Sequence, residues 1–226
     1  MTVTCYITWY SVLTGICRKG NYQIRKESSY LFAGIVLMTV YAETFSLFGG
    51  VSFLANALLL AICLICFWVK REELAGHFRN IRLTVTPQRV ILILVLFFLF
   101  AYGTASGLEH YDTGLYHAQS IRWIEEYGIV PGLGNLHSRL AYNSAAFSLS
   151  ALYSMAFLTG RSFHCCTGYF AFLLAVCCTD ACCREREKKL LLSDLIRVMA
   201  VYYLLNIFDE MISPASDYFM VLTVFW

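Results

Sequence analysis

The sequence predicts an all-α, polytopic helical membrane protein, and three observations support this prediction. Hydrophobic residues make up 59% of the 226-residue chain and charged residues only 14%, against about a quarter charged residues in soluble domains. Long apolar runs recur, and several approach the roughly 20 residues that a helix needs to cross the hydrocarbon core. Lysine and arginine are grouped between these runs. The runs cover residues 30–48, 52–69, 89–107, 163–183 and 190–208.

Both ends of the chain are apolar as well. Positive charges follow the run over residues 1–17, which is the reverse of a secretory signal, so we predict a short first span there. Residues 219–226 read as the start of a further span that is too short to cross the membrane. We therefore expect the sequence to be an N-terminal fragment of a longer protein.

Charge and cysteine content argue against two kinds of site. The net charge of +2 leaves no dense basic face, so no nucleic-acid partner is expected. Most of the ten cysteines lie inside apolar runs, where free cysteine behaves as a small hydrophobic residue. The cluster CCTDACC at residues 177–183 lacks the spacing of a zinc knuckle.

The basic residues predict which loops are cytoplasmic. Clusters within residues 18–26, 70–89 and 184–189 share one side of the membrane if residues 138–160 form an interfacial or re-entrant helix instead of a span. That segment is only weakly apolar and contains several serines, which favours the interfacial interpretation. Two loops then lie on the exterior face, and they cover residues 108–162 and 209–218.

The chain accordingly divides into two parts. Residues 1–88 contain the N-terminal transmembrane helices and cytoplasmic linkers, and residues 89–226 contain the predicted functional core. The core begins with the span 89–107 and continues through the first exterior loop, which carries two interfacial helices. It returns through spans 163–183 and 190–208 to the second exterior loop and the start of a last span.

The first of the two interfacial helices is predicted from its amphipathic pattern. From Thr113 to Tyr127, apolar residues recur at three-to-four spacing, and Trp123 adds an aromatic anchor at the membrane interface. Gly128 ends the helix and Pro131 prevents its continuation. The chain then returns to the membrane through a turn-rich segment.

Asp112 is the leading catalytic candidate, because it lies at the end of a predicted span and is expected to be covered by the exterior loops. A carboxylate in such a partly desolvated cleft can act as general base toward an acceptor hydroxyl or amine. It can also ligate a metal ion together with His110 or His117. The simpler alternative is that Asp112 only caps the helix that follows it.

Three further residues flank the loops. His137 and Arg139 are positioned to contact a lipid phosphate, which Arg can hold through paired donors, and the alternative role for each is a headgroup anchor. Asp217 precedes the last apolar run, where its simplest role is a helix cap.

Charged residues inside the predicted spans need a partner or access to water. Asp194 and Arg197 are three residues apart on one helix face, so we expect a mutual ion pair. Glu43 is close to the exterior end of its span and is expected to reach water.

The order of these features resembles the GT-C membrane glycosyltransferases, the class that includes protein O-mannosyltransferases and the aminoarabinose transferases of lipid A. A span ends in an Asp, and an interfacial helix, a Gly/Pro turn and a second interfacial helix follow it. A later exterior loop carries Pro and Asp. The segment YDTGLYHAQSIRWIEEYGIVPGLGNLH, residues 111–137, is especially similar to a group of bacterial GT-C-like membrane proteins. The resemblance covers residues 89–226.

The resemblance implies roles for individual residues. Asp112 matches the first-loop carboxylate that acts as base or metal ligand, and Tyr116 matches the aromatic residue after it. His137 matches the basic residue that approaches the lipid phosphate, and Asp217 matches the carboxylate of the second loop. Thr113 stands where many relatives have a second acid.

The candidate site therefore has three groups of residues. The catalytic candidates are Asp112 and Asp217. A divalent metal ion is the candidate cofactor, with Asp112 and His110 as its candidate ligands. The substrate-binding candidates are Tyr116, His117, His137 and Arg139.

The implied reaction is transfer of a sugar from a polyprenyl-phosphate donor to a cell-surface glycan, lipid or protein. Its expected location is the exterior face of a bacterial plasma membrane. One alternative is a transporter or flippase subunit, whose functional residues would lie within the spans at Glu43, Asp194 and Arg197. A second alternative is a non-catalytic membrane partner in surface-glycan assembly.

Overall fold

The computed structural model describes residues 1–4, 6–7, 27–84, 86–106, 109–182 and 191–225. Within these ranges the chain forms helices joined by turns and contains no strand, which confirms the all-helical fold class. Most of the predicted first span, and the basic clusters at 18–26 and 184–189, lie outside the described residues. The α-helices are α1 Glu27–Ser46, α2 Phe53–Thr84, α3 Pro87–Ser106, α4 Ala118–Tyr127, α5 Ala145–Tyr153, α6 Ala156–Thr159, α7 Cys166–Cys182, α8 Leu192–Asn206 and α9 Ser216–Phe225.

Among the described residues, two helical segments are long and apolar enough to cross a membrane, namely Phe53–Arg79 of α2 and Pro87–Ser106, which is α3. Their apolar side chains are mostly exposed, with Ile65 at 63% and Phe98 at 68%. A core helix of a soluble protein would bury such residues, whereas lipid solvates them. Shorter apolar helices cover Leu31–Ser46, Cys166–Thr179 and Ser216–Phe225.

α2 extends well beyond its apolar run, which was predicted to end at residue 69. Its backbone departs from helical geometry at Lys70 (φ −108°, ψ 15°), the first basic residue after the run. The remaining part of α2 is polar, and there Lys70 forms an ion pair of 2.9 Å with Glu73. The break therefore separates an apolar segment from a charged one within a single helix.

α5 lies at the centre of the helical core. It packs against α1, α4, α7 and α9, and all its residues from Phe147 to Tyr153 are buried. Its nine residues extend only about 14 Å at 1.5 Å per residue, too short to cross a membrane. The segment 138–160, predicted as one interfacial or re-entrant helix, is broken at Ser154 and Met155 (φ 53°), and α5 within it is enclosed by protein.

The turn between α1 and α2 packs against the C-terminal end of α4. The Val51 amide donates to the Ile124 carbonyl at 2.9 Å, and the Ile129 amide donates to the Ser46 carbonyl at 2.9 Å. Gly50 permits this approach, since a Cβ there would collide with carbonyl oxygens of α4. The first loop and the α1–α2 turn consequently lie at the same end of the helices.

Candidate functional site

The first loop begins with a helix that is continuous over residues 111–127. It contains a π turn at Thr113–His117 and ends at Gly128, whose positive φ of 77° suits glycine. The predicted helix and its end are therefore confirmed. The π turn adds a residue and rotates the helix, so Leu115, expected on the apolar face, is 40% exposed.

Asp112 stands at the start of this helix and is paired with Arg139. Arg139 Nη1 donates to Asp112 Oδ1 at 2.5 Å. The Asp112 side chain makes no capping hydrogen bond, so the capping role considered from the sequence is not found. The Arg139 guanidinium also lies over the Tyr116 ring, 5.5 Å from its centroid. The Arg139 side chain thus contacts two other predicted site residues, Asp112 and Tyr116.

Tyr116 and His117 face the interior of the loop. The Tyr116 ring lies 5.8 Å from that of Tyr142 and 6.5 Å from that of Phe147, measured between centroids. Burial raises the pKa of Tyr116, and the carboxylates of Asp112 and Asp217 raise it further.

His117 is almost fully buried, at 3% exposure. Burial lowers the pKa of His117 below its usual value, and Asp112 opposes this shift. Its imidazole is therefore neutral at pH 7. The His110 ring stacks at 6.5 Å from the His117 ring, and Nδ1 of His117 has no hydrogen-bond partner among the described residues.

The second loop meets the first through Ser213, which is fully buried. The Ser213 hydroxyl oxygen accepts from the His110 amide at 2.6 Å, and the Ser213 carbonyl accepts from the Thr167 hydroxyl at 2.8 Å. The two loops predicted to share one face are therefore in direct contact, and α7 supports the junction.

Asp217 begins the first turn of α9 beside this junction, and its side chain is exposed. Its carboxylate acts electrostatically on both Tyr116 and His117. No hydrogen bond or ion pair links its side chain to another residue of the described ranges. Asp217 is thus an open carboxylate near the paired one of Asp112.

A cleft of about 470 Å³ lies where the two loops meet. Tyr116 and Asp217 line it, as two predicted site residues from different loops. Sequence reasoning missed the other lining residues, although the polar stretch YNS at 142–144, near the start of the predicted helix 138–160, was an available signal. The missed residues are Tyr142, Asn143, Ser144, Phe147 and Ser216.

His137 lies apart from this cluster. Its side chain is exposed, and its Nδ1 accepts from the Arg139 amide at 3.3 Å. It begins the short 3-10 turn Ser138–Ala141. The structure brings together six predicted site residues and leaves His137 as a turn-capping residue. The six are His110, Asp112, Tyr116, His117, Arg139 and Asp217.

The proposed metal ligands Asp112 and His110 do not form a complete donor set. Arg139 occupies Oδ1 of Asp112, and His110 Nδ1 accepts from the Asp112 amide at 3.2 Å. Within the described ranges, no group of three or more His, Cys, Asp or Glu side chains is arranged to hold a metal ion. A zinc site, which normally has three or four protein ligands, is therefore not formed among the described residues.

The charged residues of the apolar helices are arranged as expected. Arg197 Nη1 donates to Asp194 Oδ1 at 2.7 Å, and Asp194 Oδ2 accepts from the Leu191 amide at 3.0 Å. This pair lies in the first turns of α8. Glu43 is partly exposed and lies three residues before the end of α1.

No curated protein and no solved structure shows a match to the chain. One family matches it along its whole length, residues 1–226. The chain belongs to that family, which is described as "Domain of unknown function (DUF8201)".

Proposed function

We propose that the protein is a multi-pass membrane glycosyltransferase of the GT-C type. It moves a sugar from a polyprenyl-phosphate-linked donor to a glycan, lipid or protein acceptor on the exterior face of a bacterial plasma membrane. The observation that supports this most is the cleft between the two loops. It combines aromatic rings, hydroxyl and amide groups and the open carboxylate of Asp217, a lining suited to a sugar.

Asp217 is the best placed general base. A base must reach the acceptor hydroxyl with a free oxygen, and the Asp217 carboxylate lines the cleft without a partner in the described ranges. Asp112 instead holds Arg139. These roles differ from the sequence-based expectation, in which Asp112 itself is the base.

Arg139 is suited to stabilising the leaving phosphate. A guanidinium has five N–H donors, and the ion pair of Arg139 with Asp112 uses Nη1. The remaining donors can bind phosphate oxygens. In the proposed displacement, the acceptor oxygen bonds to the anomeric carbon and passes its proton to Asp217. The bond from that carbon to the phosphate oxygen breaks, and its electron pair stays on the phosphate beside Arg139.

The two candidate spans in α2 and α3 support the membrane location of this proposal. The α1–α2 turn packs against the first loop, so the proposed exterior end of α1 and α2 is also the end that carries the cleft. The transporter alternative has less support, because Asp194 and Arg197 neutralise each other at the beginning of α8. They do not form an open polar path.

The test uses the full reading frame in its host cell, with the surface glycan as readout. Asp217→Asn and Arg139→Gln are expected to abolish the glycan at normal membrane levels. Asp194→Asn and Asp209→Asn are expected to preserve it, since neither residue lines the cleft. Normal glycan in the Asp217→Asn and Arg139→Gln strains would refute the enzyme proposal at this site. Loss of the glycan in the Asp194→Asn strain alone would favour a transporter.

A further inference from the structure

The cleft between the loops has an excess of negative charge. Asp217 is its only charged lining residue among those the structure describes. The nearby Arg139 is already paired with Asp112, and the buried His117 is neutral because its pKa is lowered by burial. Glu210, another carboxylate of the second loop, accepts from the hydroxyl of Tyr218 next to Asp217. A cationic group entering this cleft would therefore meet an unneutralised carboxylate.

Aromatic rings form the walls around that carboxylate. Tyr116, Tyr142 and Phe147 all line the cleft, and the Tyr116 ring is inclined by 58° to Tyr142 and by 77° to Phe147. The faces of aromatic rings attract cations. The Tyr116 ring already contacts one cation, the guanidinium of Arg139.

The remaining lining groups are uncharged and polar. Asn143, Ser144 and Ser216 supply amide and hydroxyl groups at the rim. Such groups donate to and accept from the hydroxyls of a sugar but do not bind a phosphate strongly. The cleft is thus built from one carboxylate, three rings and three neutral hydrogen-bonding side chains.

We propose that this cleft binds an amine-bearing sugar, with the protonated amine held by Asp217 and the rings of Tyr116 and Tyr142. The inference rests on the proposed function, in which the cleft is the sugar site, and it specifies that this sugar carries a positive charge. An ethanolamine lipid headgroup offers the same ammonium chemistry without the ring hydroxyls. The experiment therefore includes both sources.

The test is a ligand-observed NMR titration of the full chain in detergent micelles at about pH 7, where a primary amine next to an electron-withdrawing group is largely protonated. The probes are glucosamine, glucose and glucuronate, which share a ring and differ in charge, together with ethanolamine. Glucosamine is expected to bind about tenfold more tightly than glucose, from one carboxylate contact and one cation–π contact. Glucuronate is expected to bind more weakly than glucose.

Three variants separate the contribution of the Asp217 charge from that of the aromatic rings. Asp217→Asn is expected to reduce the preference for glucosamine over glucose to about twofold or less, because the charge contact is lost. Tyr142→Leu should weaken both sugars. Asp209→Asn, an exposed carboxylate of the second loop outside the cleft, should keep the full preference. Thermal unfolding of each variant shows whether the fold is intact.

Two results would overturn the inference on amine recognition. These are equal affinity of the wild type for glucosamine and glucose, or an undiminished preference in Asp217→Asn. Ethanolamine binding as tightly as glucosamine would overturn the sugar assignment in favour of a lipid headgroup. Selective glucosamine binding together with a normal surface glycan in Asp217→Asn cells would leave this inference standing and remove the proposed transferase function.

Discussion

Arg139 Nη1 lies 2.5 Å from Asp112 Oδ1, and this ion pair joins two parts of the first loop that are 27 residues apart in the chain. The same guanidinium lies over Tyr116, a wall of the cleft. The pair therefore holds the segment around Arg139 against the start of the loop helix that carries Tyr116. Its side chains are 41% and 28% exposed, so solvent screens part of their attraction.

A double-mutant cycle of Asp112→Asn and Arg139→Gln measures this attraction. Because the pair is partly exposed, we expect a coupling free energy of about 0.2–1 kcal/mol in thermal or denaturant unfolding. The matched cycle uses Arg122→Gln and Glu126→Gln, a more exposed pair on one helix face, and should give less. Strictly additive effects at Asp112 and Arg139 would contradict the contact.

His117 makes stability depend on pH. Its pKa in the folded protein is lowered by burial, while the unfolded value is about 6.5. The unfolded chain therefore binds more protons below about pH 6.5, and stability is lost as the pH falls through that range. The melting temperature of His117→Gln is expected to fall less steeply than that of wild type between about pH 7.5 and 5. A slope in His117→Gln as steep as that of wild type would count against a buried neutral imidazole.

Ser213 connects the two loops, and its removal is expected to loosen the site. Ser213→Ala leaves the His110 amide without its 2.6 Å acceptor, which should cost about 1 kcal/mol of unfolding free energy. Ser138→Ala, on an exposed turn, is the matched change and should stay within about 0.5 kcal/mol of wild type. Equal stability of the two variants would show that the junction does not hold the loops together.

Gly168 allows α7 to approach α3. A Cβ at Gly168 would overlap the side chain of Thr104, so Gly168→Ala is expected to destabilise the protein by about 1–3 kcal/mol. Adding Thr104→Ala should restore part of that loss. Gly76→Ala is the control, because open space surrounds Gly76 on α2, and alanine there favours the helix by roughly 0.5–1 kcal/mol. Equal effects at Gly168 and Gly76 would refute the close packing.

The sequence predicted the local features of the fold well, because local chemistry determines them. Apolar runs located the helices, and Gly128 ended the loop helix as glycine at positive φ does. The three-residue spacing of Asp194 and Arg197 correctly predicted their ion pair. Each of these depends on residues within about one helical turn of one another.

Features that depend on distant contacts were not predictable in the same way. Asp112 and Arg139 meet only because the loop between them folds back. The sequence alone therefore gave them separate roles. The serines of α5 favoured an interfacial or re-entrant helix over a span, but they did not reveal that neighbouring helices bury Ser148 and Ser150. The π turn at Thr113–His117 shifted the buried face of the loop helix, and no simple periodicity signals such a turn.

The most direct test of sugar transfer in this cleft measures product and donor together. Surface glycan and the membrane pool of polyprenyl-phosphate-linked sugar would be quantified by mass spectrometry in cells that express wild type, Asp217→Asn or Asp209→Asn from the native locus. We predict that Asp217→Asn loses the glycan and accumulates the lipid-linked donor, while Asp209→Asn matches wild type. Wild-type glycan and donor levels in Asp217→Asn cells, with the variant present at normal amounts, would contradict it.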